Sequence, residues 1–209
     1  MRLKSLIAVL AVLASPTLAK AADLVVTVRD AAGQPVKDAV AMLRTGAPAG
    51  QPVKFTWPYR VSQHDISFDP FVLVVPVGSN VSFPNNDKVR HHVYSFSPTK
   101  KFQLKLYGRE EDRSVLFDKA GVVALGCNIH DQMAAFVVVV DTPYAGKTDA
   151  SGQVTLRGAP AGAAKLTVWH PFMKTAGNQT LRTVNVGANG GREAFTVDLR
   201  PAPPTMTMH

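Results

Sequence analysis

Short apolar runs, each only a few residues long and separated by turn-forming residues, follow one another along most of this chain. The 15 Gly and 15 Pro among its 209 residues interrupt any long helical pattern. Short strands repeated at this spacing are typical of a β-sandwich or a β-barrel. The chain is therefore predicted to be all-β. The expected strands cover residues 24–29, 36–43, 59–63, 71–75, 80–83, 92–96, 102–106, 114–117, 122–125 and 135–140.

The N-terminus has the pattern of a secretory signal peptide. Arg2 and Lys4 precede an apolar run over residues 6–14, and Ala19-Lys20-Ala21 offers a small-residue cleavage site. The run is shorter than the roughly 20 residues that span a bilayer. Residues 1–21 are therefore predicted to be removed on export, most simply to a bacterial periplasm, with no membrane span afterwards. A buried N-terminal helix is the other interpretation.

The charge of the chain argues against a nucleic-acid partner. Lys and Arg number 23 and Asp and Glu number 15, for a formal charge of +8 without a dense basic run. Without the signal peptide, 20 basic and 15 acidic residues leave +5. One section of the chain is locally basic and is interpreted either as a solvated face or as an electrostatic docking patch. Its basic residues are Lys100, Lys101, Lys105, Arg109 and Arg113.

The residues with the clearest chemistry lie in the segment 126–133, Gly-Cys-Asn-Ile-His-Asp-Gln-Met. Cys127, His130 and Met133 supply a thiolate, an imidazole and a thioether within one short stretch. Soft sulfur ligands combined with imidazole select copper over hard cations. Cys127 is the one cysteine in the sequence, so it has no intrachain disulfide partner. The alternative is a buried free cysteine with unrelated neighbours.

One more imidazole would complete a trigonal copper site with two histidines, one cysteine and an axial methionine. The candidates are His91 and His92, which open an expected strand. Adjacent residues on a strand point to opposite faces, so only one of the two can share a site with Cys127. The residue pattern leaves the choice between them open.

At these residues the segment from about 61 to 140 resembles the cupredoxins, the blue-copper family of plastocyanin, pseudoazurin and amicyanin. The Cys-x2-His-x2-Met spacing is most similar to amicyanin, and the turn at residues 85–91 is similar to the turn before the first histidine. The resemblance implies a Greek-key β-sandwich with one type 1 copper ion. It implies the ligands His91, Cys127, His130 and Met133, with Met133 axial. Residues that would support the site or replace a ligand are His92, Asn86 and Asn128.

Two positions depart from the cupredoxin pattern. His92 stands where the family usually has Asn, and Ile129 stands where many members have Pro. The whole pattern is similar to exported cupredoxin-domain proteins that are often labelled methylamine utilization proteins.

The flanks resemble a different family. Residues 28–40, 148–156 and 160–169 are similar to strands of a carboxypeptidase regulatory-like β-sandwich. The resemblance implies a cupredoxin domain (59–140) inserted into a split sandwich (22–58 plus 141–200), with a disordered tail (201–209). Nearby ends make such insertions tolerable. The alternative is that residues 22–58 add strands to the cupredoxin.

The function implied by the resemblance is one-electron transfer, with copper as cofactor and periplasmic redox proteins as transient partners. No catalytic residues are expected, because the six histidines form no His-x-His pattern of the kind that multicopper oxidases use. Two alternatives stay open. The first is a periplasmic copper chaperone or storage protein, with His92, Met206 and Met208 as extra ligands. The second is a structural β-sandwich that binds copper incidentally.

Overall fold

The structure is a computed structural model that describes residues 21–46, 53–109 and 111–203. The predicted signal peptide up to residue 20 and the tail residues Met206 and Met208 lie outside these ranges. The described residues contain sixteen strands and one short 3-10 helix, so the all-β prediction is confirmed. Among these residues no helix is long and apolar enough to cross a membrane.

The strands are numbered in chain order. The first eight are β1 (Ala21–Asp30), β2 (Val40–Thr45), β3 (Ser62–His64), β4 (Ser67–Asp69), β5 (Val72–Pro76), β6 (Ser79–Ser82), β7 (His91–Ser97) and β8 (Lys100–Tyr107). The others are β9 (Ser114–Phe117), β10 (Gly121–Cys127), β11 (His130–Val140), β12 (Ala145–Lys147), β13 (Gln153–Pro160), β14 (Gly162–Trp169), β15 (Gln179–Val186) and β16 (Gly191–Val197). The 3-10 helix is Ala176–Asn178.

One sandwich is built from both ends of the described chain. Its sheets have the orders β13-β1-β16 and β12-β2-β14-β15, and β1 is antiparallel to β13 but parallel to β16. Alternate β1 residues enter its core, because Leu24, Val26 and Val28 are buried while their neighbours are not. Within the described ranges neither β1 nor β2 pairs with a strand between residues 59 and 140. A split sandwich requires β1 and β2 to pair with strands that follow residue 140, as they do here. The family to which the flanks belong stays a prediction.

The central residues form a second unit around a separate core. Its main sheet has the order β5-β11-β10-β7-β8, and the short pairs β3-β4 and β6-β9 accompany it. Its core contains aromatic side chains such as Phe68, Phe83 and Tyr107 together with Cys127 and Met133. The sulfur-bearing residues therefore lie among buried side chains.

A third group of buried side chains joins the two units. This junction cluster consists of Val40, Met42, Phe71, Val72, Val74, Val138, Val140, Trp169 and Phe172. Strand β5 is buried along its whole length, since Leu73 and Val75 face the core of the central unit while Val72 and Val74 face the cluster. Burial on both faces explains why this segment is continuously apolar.

Two segments differ from the boundaries expected from sequence. The second expected strand, 36–43, begins only at Val40, because Asp38 has a φ of 62° and its carboxylate accepts a 2.6 Å hydrogen bond from Lys147 Nζ. The Gly- and Pro-rich composition of residues 45–58 predicts a linker, but aromatic side chains among its described residues are packed. Phe55 stacks on Trp57 at 4.5 Å, and Trp57 Nε1 donates to the carbonyl of Val74.

Candidate metal centre

The loop between β10 and β11 places Cys127 and His130 opposite each other. Gly126 pairs with Ala134 and Cys127 pairs with His130, with a register shift between the two pairs. The shift leaves residues 131–133 as extra residues on β11, and such a bulge re-aims the side chains beside it. Met133, which is 1% exposed, thereby enters the same core as Cys127, which is 3% exposed.

Strand β7 brings a histidine to the other side of the thiol. Cys127 pairs with Val93, and His91, which is 0% exposed, begins the strand two residues earlier. His91 Nδ1 lies 3.7 Å from Cys127 Sγ, and His130 Nδ1 lies 3.6 Å from the same sulfur. The ligand atoms of the three residues lie within 4.8 Å of one another.

These distances fit a shared metal ion. In zinc sites the metal-to-sulfur bond is about 2.3 Å long and the metal-to-nitrogen bond about 2.0 Å long. If these two bonds meet at an angle of roughly 110–120°, the sulfur and nitrogen atoms lie about 3.5–3.7 Å apart. The two sulfur-to-nitrogen distances lie in this range. The group contains one thiol and two imidazoles and no carboxylate. Buried Met133 in the same core adds a thioether, and this set of donors suits copper.

The structure separates the two adjacent histidines. His91 is buried against Cys127, whereas the neighbouring His92 is only half-buried and belongs to the opposite face of β7. His92 does contact the loop through its backbone, because its carbonyl accepts a 3.0 Å hydrogen bond from the Asn128 N–H. The site therefore gathers His91 and leaves His92 outside.

The two asparagines named from the sequence are exposed and act through their backbones. Asn128 ties the cysteine loop to β7 through the bond to His92. The Asn86 N–H donates to the carbonyl of Gln63, and the Asn86 carbonyl accepts a bond from Arg109. Neither side chain is brought into the group of three ligands.

Sequence reasoning missed the two residues that support His91, Asn85 and Asp87. Asp87 Oδ2 lies 3.1 Å from His91 Nε2, and buried Asn85 accepts the Asp87 N–H on its side-chain oxygen. The available signal was an Asp four residues before a buried His, inside an Asn-rich turn. This spacing alone does not predict a contact between Asp87 and His91, because the contact depends on the conformation of the turn.

The electrostatics of the pair favour a neutral His91 and an ionised Asp87. Burial lowers the pKa of His91, although Asp87 opposes this shift. Burial raises the pKa of Asp87, but hydrogen bonds from the N–H groups of Ile66 and Lys88 and from His91 outweigh it, so that the pKa is lowered. The imidazole is thus neutral at neutral pH and has a nitrogen lone pair free for a metal.

The other histidines in the described part of the chain, His64 and His170, lie elsewhere. His64 on β3 is near the carboxylates of Asp65 and Asp69, and His170 is buried in the flanking sandwich. Half-buried His130, beside exposed Ile129, is the most exposed of the candidate ligands.

No protein-family model matches the chain, and no curated protein matches it. Among solved structures, a reduced amicyanin variant is similar at 23% identity over 48% of this chain and 98% of that chain, with a TM-score of 0.37. A reduced Cu(I) form of another amicyanin variant at pH 4 has 25% identity, the same coverage and a TM-score of 0.37. The copper-containing nitrite reductase of Thermus scotoductus SA-01 has 28% identity over 57% of this chain and 28% of that chain, with a TM-score of 0.39. These TM-scores are too low to decide fold or function, which rest on the sheets and side chains described above.

Proposed function

We propose that the protein holds one type 1 copper ion in a cupredoxin-like central unit and carries one electron at a time. The observation that carries the proposal is the convergence of two imidazole Nδ1 atoms on the buried thiol of Cys127, at 3.6 and 3.7 Å. The bound ion would supply the change between Cu(II) and Cu(I). The ligand set is the His₂Cys arrangement with a weak axial Met that characterises blue-copper electron-transfer sites.

The chain's own residues suit this role, because they hold the ligands in place. Cys127 and His91 lie on paired strands of one sheet, and both are buried. Buried ligands on a rigid sheet move little when the charge of the ion changes. His130, beside exposed Ile129, offers the edge through which an electron would pass to a partner.

The proposal includes a periplasmic location and transient redox partners. Its support is the signal-peptide pattern of residues 1–21 and the basic residues of the edge strand β8. Lys101 and Lys105 are exposed on that strand, whereas Lys100 pairs with Asp118 at 3.0 Å. Positive charge on the surface of a redox protein speeds its encounter with an acidic partner. The proposal does not include catalysis.

The first test is a Cu(II) titration of the chain 22–209. We expect one equivalent of copper to produce an intense visible thiolate-to-copper absorption band. Cys127→Ser should abolish the band, because the thiolate produces it. His91→Ala should weaken or shift it, whereas the matched variant His92→Ala should leave it in place because His92 lies on the opposite face of β7.

Equal copper affinity in the wild type and in Cys127→Ser, or no visible band in the wild type, would contradict the proposal. A band that survives His91→Ala but not His92→Ala would overturn the assignment of the ligand. Transfer of copper to a metal-free acceptor without electron exchange would favour the chaperone alternative.

A further inference from the structure

Asp87 is a buried carboxylate directly behind a proposed copper ligand. Its side chain is 9% exposed, and its Oδ2 lies 3.1 Å from Nε2 of fully buried His91. The proposed ligand atom, Nδ1, is on the other side of the same ring, 3.7 Å from Cys127 Sγ. The imidazole thus lies between a carboxylate and a thiol. Any role of Asp87 toward copper rests on the proposed function.

Hydrogen bonds hold the Asp87 carboxylate on both sides. Oδ2 also accepts the Ile66 N–H at 2.8 Å, and Oδ1 accepts the Lys88 N–H at 2.7 Å. The Asp87 N–H donates to Asn85 Oδ1 at 2.8 Å. The Asn85 side chain donates in turn to the carbonyls of Val89 and Tyr107, so the turn is anchored to the end of β8. Asp87 therefore has a defined position before any metal binds.

This contact selects the tautomer of His91. An ionised carboxylate only accepts hydrogen bonds, so the proton of the neutral ring must be on Nε2. The lone pair is then on Nδ1, which faces Cys127. Metal-ligating histidines commonly donate their other N–H to a carboxylate, and this raises the basicity of the ligand.

The charge of Asp87 also favours one oxidation state. The thiolate of Cys127 and the carboxylate of Asp87 would together balance the two positive charges of a bound Cu(II) ion. With Cu(I) the same groups would leave one net negative charge in a buried site, which is unfavourable at low effective dielectric. We propose that Asp87 is a positioning residue that fixes His91 as an Nδ1 ligand and lowers the reduction potential of the site.

The test compares Asp87→Asn and Asp87→Ala in the chain 22–209. The asparagine carbonyl can still accept the Nε2 proton but carries no charge, whereas alanine removes both. Asp131→Asn is the control for charge, since Asp131 is exposed and adjacent to His130 in sequence. The measurements are the reduction potential of the copper-loaded chain and the nitrogen chemical shifts of His91 in the metal-free chain. Circular dichroism checks the fold of every variant.

We expect Asp87→Asn to keep the Nε2–H tautomer and to reduce the preference for Cu(II) over Cu(I) by about ten- to a hundredfold. For one electron this is a rise in potential of about 59 mV per tenfold change. Asp87→Ala should raise the potential at least as much and should also mix the two tautomers. Asp131→Asn should shift the potential by less than half as much as Asp87→Asn.

The proposal is overturned if Asp87→Asn raises the potential no more than Asp131→Asn does, or if Asp87→Ala leaves the tautomer of His91 unchanged. Failure of the proposed function has a different signature, the absence of a copper band in the wild type. In that case the tautomer of the metal-free variants alone decides whether Asp87 positions His91. If one Asp87 variant does not fold, the other decides.

Discussion

His170 shows how a single buried imidazole makes the stability of this protein depend on pH. It is 6% exposed in the flanking sandwich, and its Nδ1 accepts the Phe172 N–H at 3.3 Å. Burial lowers its pKa from 6.5 to about 4, although the charge of Asp38 and a backbone hydrogen bond with Lys37 oppose the shift. The unfolded chain takes up a proton near pH 6.5 and the folded chain only near pH 4. His170 therefore makes stability increase with pH across this window, with the full effect present above it.

We predict from this pKa shift a pH-dependent free energy of unfolding for the metal-free chain. Between pH 7 and pH 4.5 the wild type should lose about 2–3 kcal/mol through His170 alone. His170→Gln should be less stable at pH 7, because the imidazole packing is lost, but it should lack this part of the pH dependence. Urea denaturation at the two pH values measures both. An unchanged pH dependence in His170→Gln would contradict the prediction.

The metal-site residues differ in how much the sequence alone could say about them. Cys127, His130 and Met133 could be named as candidate ligands because ligand types at short spacing are visible in one line of sequence. The choice between His91 and His92 could not be made, because it depends on which histidine points to the same side of the shared sheet as Cys127. Asp87 was missed because its role depends on the conformation of a turn.

At the scale of elements, two turns of the flanking sandwich share one sequence pattern and one geometry. Residues 30–34 and 149–153 both have the pattern Asp-Ala-x-Gly-Gln. In each turn the Asp Oδ1 accepts the N–H groups two and four residues later. Gly33 and Gly152 have φ values of 78° and 75°. Only their surroundings differ, since a Cβ on Gly33 would meet nothing within 4 Å and one on Gly152 would lie 2.5 Å from the Val28 carbonyl oxygen.

The pair forms a matched experiment on backbone strain and steric contact. Gly33→Ala should cost about 1–2 kcal/mol, the usual cost of the left-handed conformation for an L-residue. Gly152→Ala should cost about 1–3 kcal/mol more, because the turn must move away from β1 and the 2.8 Å bond from Val28 N–H to the Gly152 carbonyl is weakened. Urea denaturation of both variants gives the difference. Equal destabilisation would show that the contact with β1 does not matter.

At the scale of the whole molecule, the chain leaves one sandwich and returns to it at nearly the same place. Arg44 at the end of β2 pairs with Asp141 just after β11 at 2.8 Å. The central unit is therefore accommodated with little disturbance of the flanking sheets. It is not an independent appendage, because the apolar junction cluster lies between the two units. An apolar interface of this kind opposes relative motion of the units.

The junction predicts that the two units unfold together. Calorimetry of the metal-free chain 22–209 should give one transition, and a copper ion that binds only the folded central unit should raise the midpoint of that whole transition. Tryptophan fluorescence is a second probe, since Trp169 lies in the junction cluster. Two separate transitions, of which copper shifts only one, would contradict this prediction.

The sequence by itself determined the all-β class and pointed to the candidate sulfur ligands, because alternation and ligand spacing are local properties of the chain. Only the tertiary structure decided which strands pair, since β1 meets β13 and β16 across more than a hundred residues of intervening chain. It also decided that His91, and not His92, faces Cys127. Such contacts follow from how distant strands bury their apolar faces together, and a local pattern does not encode the partner.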